Sequence, residues 1–132
     1  MPNRFLEIAR EAIPAPGPEA YSVAFAGRHR LLRAWAEFFR SYDVVLAPIA
    51  TMPAFPVGAD LDRAGAGAFV TALRMVVAVN YLGLPSAAVP LGDRPAPQAV
   101  QLIGPRYRED LCLDAAEAVE GVLGVRAPIG PR

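Results

Sequence analysis

A chain of 132 residues with 13 basic and 13 acidic side chains carries no net charge. That balance gives no electrostatic case for nucleic acid or for an anionic membrane surface as partner. One Cys and one His exclude a disulfide framework and a metal site built within one chain, and no Gly-rich phosphate cradle or other cofactor motif is present.

Residues 1–18 read as a short helix and a Pro-rich linker, 19–124 as the body of one domain, and 125–132 as a tail. In the opening segment Phe5, Ile8, Ala9 and Ala12 share one side, and the prolines from Pro14 to Pro18 end the helix. Glu19 to Ser41 is the longest helix candidate. Tyr21, Phe25, Arg28, Leu32, Trp35, Phe39 and Tyr42 step by fours and threes, so they form one stripe that packs a core, widened by Leu31 and Phe38. Arg28 on that stripe needs an acidic or carbonyl partner if it is buried, and its long stem favours snorkelling to water instead.

Asp43 to Ala47 reads as a strand through Val44, Val45 and Leu46. Pro48 to Gly58 has three prolines and no charge, the composition of an ordered, water-poor loop, and loops at strand ends carry function. Asp60 to Gly67 reads as surface loop. Ala68 to Val79 reads as one buried helix, with Phe69, Leu73, Val76 and Val77 on a face. Asn80 and Gly83 then stop it, because both tolerate the left-handed backbone of a C-terminal cap, and Pro85 forces extension on its predecessor. Ser86 to Leu91 and Ala99 to Ile103 are short apolar runs suited to neighbouring strands buried on both faces, joined through Gly92 to Pro97 as a hairpin. The last helix runs from Glu109 to Gly124, with Glu109 and Asp110 in its first turn and Cys112, Ala115, Ala116, Val119, Val122 and Leu123 inward. The expected fold class is therefore α/β: a small three-stranded mixed sheet with three to four helices.

Hydrophobic residues make up 54% of the chain. A self-sufficient soluble domain does not need that share. The excess points to surface covered by more protein, an Ala- and Pro-rich bias being the alternative, and open strand edges make self-association a second way to cover it. The longest uncharged run, Met75 to Gly92, contains Asn80, Gly83, Pro85 and Pro90, which would leave backbone groups unpaired in lipid. A helix end plus strand fits it better than a membrane span. Glu7, Arg10 and Glu11 interrupt any apolar leader, so the expected location is cytoplasmic.

Two groups of residues carry a family pattern. Asn80, Gly83, Pro85, Val89, Pro90 and Gly92 are followed at close spacing by Val100, Gln101, Ile103, Gly104, Tyr107, Glu109 and Asp110. Upstream stand Tyr42 to Pro48 and Thr51-Met-Pro-Ala54. In this order they resemble the C-terminal part of amidase signature family hydrolases, over roughly residues 28 to 123. The resemblance implies a partial amidase signature fold, one flank of a larger mixed sheet. It makes Thr51, Met52 and Pro53 candidates for the wall of a substrate pocket, with Asn80 beside them; a turn packed on a neighbouring lobe is the alternative for the loop. Members that use glutamine as ammonia donor carry an acidic residue shortly before this Asn, whereas Leu73 and Val76 stand here, which argues against that subclass.

An amidase must raise a strong nucleophile and stabilise an oxyanion. The resembled family uses a Ser, a bridging Ser and a Lys within a Gly/Ser-rich signature. This chain has three serines, no Gly-Gly-Ser-Ser run and no lysine, so it contains no catalytic residue of that kind. Ser86 lacks the Gly-x-Ser-x-Gly elbow, His29 lies between arginines, and Cys112 reads as a small core residue. The expectation is an amide-hydrolase segment without its reaction centre, inactive alone. The alternative is a non-catalytic subunit that docks onto a partner carrying the centre, namely an amidase N-terminal or catalytic segment.

Overall fold

The computed structural model describes residues 4–12, 15–92 and 98–124. The expected hairpin turn at 93–97, part of the first linker and the tail at 125–132 lie outside the described residues.

Three strands form one sheet: β1 (Val45–Pro48), β2 (Ser86–Gly92) and β3 (Gln98–Ile103), in the order β1-β3-β2. Both pairings are antiparallel, so the sheet is not mixed as expected; β3 runs against β2 and against β1 alike. Prolines explain which strands lie outside. Pro48 in β1 and Pro90 in β2 lack an N–H, which only an edge strand tolerates, and the β2 ladder is irregular between Pro90 and Gly92. Opposite Ile103 stand Val45 and Ser86, and opposite Leu102 stand Leu46 and Ala87. Because side chains alternate, Ala47 and Ile103 face one way, and Val89 and Leu102 the other.

The first face carries the core. Ala47 and Ile103 cluster with Val79, Leu82 and Leu84, and Leu32, Trp35, Phe39, Val45 and Met75 pack around them. These come from α2 (Pro18–Phe38) with the turn after it, and from α4 (Arg74–Leu82). On β2 and β3 packs α5 (Glu109–Leu123), with Cys112 as its buried residue. The hydrophobic stripe of α2 therefore works as expected at Leu32, Trp35 and Phe39, but Tyr21, Phe25, Leu31, Phe38 and Tyr42 are exposed, and no residue of α2 is buried.

Among the described residues five helices form, not three or four: α1 (Arg4–Ala12) is the expected short helix, and the extra one comes from a division of the expected helix 68–79. Asp62 caps α3 (Arg63–Ala72) by accepting the Gly65 N–H at 2.7 Å, so the helix begins inside the expected loop. At Leu73 the axis turns by 60° into α4. The cause is a diverted carbonyl: Ala72 accepts the Thr51 N–H at 3.1 Å instead of continuing the ladder. Among the described residues no single helix is long and apolar enough to cross a membrane.

The end of α4 satisfies its four orphan carbonyls completely. Gly83 adopts φ 67°, ψ 43°, and its N–H reaches the Val79 and Asn80 carbonyls. The Tyr81 and Leu82 carbonyls accept from Arg28, at 2.6 and 2.9 Å. In return the Tyr81 hydroxyl donates to the Ala24 carbonyl of α2 at 3.0 Å. Arg28 thus does not snorkel. It is the anchor of α2 on α4, through the carbonyl partners its position requires.

Candidate functional site

The loop from Pro48 to Phe55 is held at both of its strand and helix neighbours. Gln101, the buried polar residue of β3, donates from Nε2 to the Pro48 carbonyl at 3.1 Å. Three residues on, Thr51 is tied to Ala72 through its backbone N–H, with its hydroxyl at 3.5 Å from the same carbonyl. The Phe55 ring meets Phe69 of α3 edge to face, centroids 5.0 Å apart, and Phe69 meets Phe5 of α1 in the same way at 5.6 Å. A proline-bearing loop fixed at these points is ordered without a core of its own.

Under this loop lies a cavity of about 600 Å³. Its walls are residues 48–55, Phe69, Pro90 and Leu91 of β2, and residues 98–100 of β3. None of these is charged. A charged ligand group would have no counter-ion here, whereas a flat apolar group finds the Phe55 and Phe69 rings, Met52 and Val100.

Of the four pocket-wall candidates, Thr51, Met52 and Pro53 line this cavity together. Asn80 does not: it is exposed on the last turn of α4, where its backbone carbonyl accepts the Gly83 N–H. Sequence reasoning missed Phe69, Leu91 and Val100 as cavity walls and Gln101 as the loop's tether. The one available signal for Gln101 was a polar side chain inside an apolar strand run.

The other chemically capable groups stay apart. His29 is exposed on α2 and contacts the Phe25 ring at 5.7 Å. Ser86 is exposed on β2. Cys112 is buried, its thiol directed at the Pro85 carbonyl at 3.5 Å, and burial pushes that thiol up from its ordinary value, the reverse of an activated nucleophile. Arg108 clasps Asp110 with two nitrogens, at 2.9 and 2.8 Å. That hydrogen bonding lowers the Asp110 carboxyl and raises the arginine, a surface pair at the start of α5. Among the described residues no three His, Cys, Asp or Glu side chains gather as a metal site would need.

Comparison with known proteins agrees with the residue pattern. Residues 6–113 match the family model described as Amidase. The chain is 44% identical over 114 residues to an indoleacetamide hydrolase of Bradyrhizobium diazoefficiens, covering 83% of this chain and 21% of that protein. An indoleacetamide hydrolase of Bradyrhizobium japonicum is likewise 44% identical, with 24% of its length covered. A glutamyl-tRNA(Gln) amidotransferase subunit of Deinococcus deserti is 32% identical over 112 residues, 80% of this chain and 23% of that protein. The chain thus spans about a fifth to a quarter of the length of these curated relatives. With more than half of its residues inside the family match, the chain belongs to the amidase family.

Proposed function

We propose that this chain is the C-terminal segment of an amidase-family C–N hydrolase, in which the loop Thr51-Met52-Pro53 forms a wall of the acyl pocket. The observation that carries the reading is the uncharged cavity beneath that loop, with no nucleophile and base beside it among the described residues. The attacking group, and the amine that takes its proton, then belong to other polypeptide, and the chain alone hydrolyses no amide. Aromatic walls suit an aryl acyl group. The 44% identity to indoleacetamide hydrolases, against 32% to the amidotransferase subunit, supports a neutral arylacetamide over a glutamine-derived substrate. Cytoplasm is the compartment this reading assigns.

Two measurements test it. The chain alone is assayed with indole-3-acetamide, and a chimera is built in which it replaces the matched stretch of an indoleacetamide hydrolase. The expected result is no turnover alone and retained turnover in the chimera, with Met52→Asp raising KM there by about tenfold or more as a charge enters an apolar wall. Turnover by the chain alone, abolished by Ser86→Ala or Cys112→Ala, overturns the reading.

A second reading rests on α2. A 21-residue helix without a buried residue, bearing exposed Tyr21, Phe25, Leu31 and Phe38, is a surface for more protein. In that form the chain is a non-catalytic subunit docked on a partner that carries the Ser-Ser-Lys centre, and activity requires both.

A further inference from the structure

A second cavity shares no lining residue with the one under the Pro48–Phe55 loop. It has a volume of about 250 Å³ and is bounded by Leu32, Ala36, Phe39, Leu84, Pro105 and Arg106. Five of these six are apolar, and the sixth is a guanidinium-bearing side chain at the turn that leads into α5. The volume falls just below the usual ~300–1,000 Å³ of sites for drug-sized ligands, so it suits a compact group.

Arg106 is exposed at the cavity's edge and, unlike Arg108 and Arg40, has no acid to pair with. Asp110, the nearby carboxylate in the first turn of α5, is taken by Arg108 at 2.8 Å. Glu37 at the end of α2 is taken by Arg40 at 3.1 Å. No carboxylate among the described residues lies within ion-pair distance of Arg106. What it does have is a platform. Its guanidinium carbon sits 5.0 Å from the centroid of the Tyr107 ring, and Nη2 donates to the Tyr107 hydroxyl at 3.1 Å. Contact with the aromatic ring and its hydroxyl holds the guanidinium while leaving the donors on Nε and Nη1 for a second partner. Tyr107 itself holds a left-handed backbone at φ 65°, alone among the described non-glycine residues. Sparsely populated backbone of this kind collects where a side chain must be presented in one direction.

We infer that this cavity binds a small carboxylic acid: an aryl or branched apolar body seated against Leu32, Phe39 and Leu84, and a carboxylate paired to Arg106. A fork of N–H donors matches a carboxylate with two parallel hydrogen bonds. A neutral amide of the same shape lacks the charge that the unpaired arginine selects. The inference does not rest on the acyl-pocket reading, since it concerns a different cavity and needs no hydrolysis.

Trp35, the sole tryptophan, packs on the cavity residue Phe39 with ring centroids 5.5 Å apart, so its emission reports on occupancy. Sodium phenylacetate is titrated into the full chain, with heat and Trp35 emission read together, and phenylacetamide serves as the uncharged isostere. The expected result is saturable binding of phenylacetate, at least tenfold tighter than the amide and weakened at least tenfold by Arg106→Gln. Tyr107→Gly, which suits the left-handed backbone and removes the platform, weakens it several-fold while far-UV circular dichroism stays unchanged. Equal affinity for acid and amide, equal affinity in Arg106→Gln, or no saturable binding of phenylacetate overturns the inference.

Discussion

The helices α5 and α2 are attached to the body of the chain by opposite means. The α5 contact is made by shape. Cys112 is 2% exposed, and Gly104 at the end of β3 lies so close that an added Cβ would stand 2.7 Å from its sulfur and 3.2 Å from the Arg108 carbonyl. The α2 contact adds polar clamps, Arg28 onto the carbonyls of α4 and the Tyr81 hydroxyl back onto Ala24, to the partly buried packing of Leu32 and Trp35 on the core. A joint made by shape has no room for change and is already complete. A joint made by clamps fixes direction while leaving the apolar side chains beside it open to further packing.

Substitutions separate these two kinds of joint. The largest effect is expected at Ile103, fully buried in the core that both helices adjoin: Ile103→Ala should cost about 2–5 kcal/mol in urea unfolding. Next, Gly104→Ala should cost about 1–3 kcal/mol, because the atoms it meets are backbone and a buried sulfur. Adding Cys112→Ala to that variant should restore part of the loss, and strict additivity of the two would remove the shape account. On the other side, Arg28→Ala should cost about 1 kcal/mol, since water can reach the released carbonyls. It should also accelerate amide exchange in α2 more than in α5.

A pH series examines Cys112 directly. Burial raises its folded-state thiol above the ordinary 9.0. The unfolded chain releases that proton first as pH climbs, so the stability contribution is whole below about 9 and declines above it. Cys112→Ala should flatten that decline in urea midpoints taken between pH 8 and pH 10.5. The smallest effect is expected at Phe25→Ser, within about 0.5 kcal/mol, because the ring is 51% exposed. A loss well beyond that would mean that α2 is packed against something in solution.

What the sequence reveals follows how far apart the deciding residues lie. The places of the two hairpin strands, the left-handed helix stop at Gly83, and Cys112 on the inner face of α5 rest on periodicity and on residues within one turn of each other, and these are read correctly. Other expectations fail: α4 runs on through Asn80 to Leu82, β2 is largely exposed instead of buried on both faces, and Val122 and Leu123 of α5 face water. The bend at Leu73 escapes because its cause, Thr51, is 21 residues away in the chain from the carbonyl it captures. Arg28 and Gln101 each find their carbonyls 53 residues away, so composition shows only that they need partners. Asn80 does not line the large cavity: motif spacing places it near the strands in sequence, while in the fold it stands exposed on the last turn of α4.

The bond between Thr51 and the Ala72 carbonyl also makes a mechanical linkage. Thr51 and Phe69 both line the large cavity, and both are fastened to α3, one by its backbone and one by belonging to it. The placement of that one helix therefore sets two parts of the cavity wall together, so a substitution that shifts α3 reaches the loop and the aromatic wall at once.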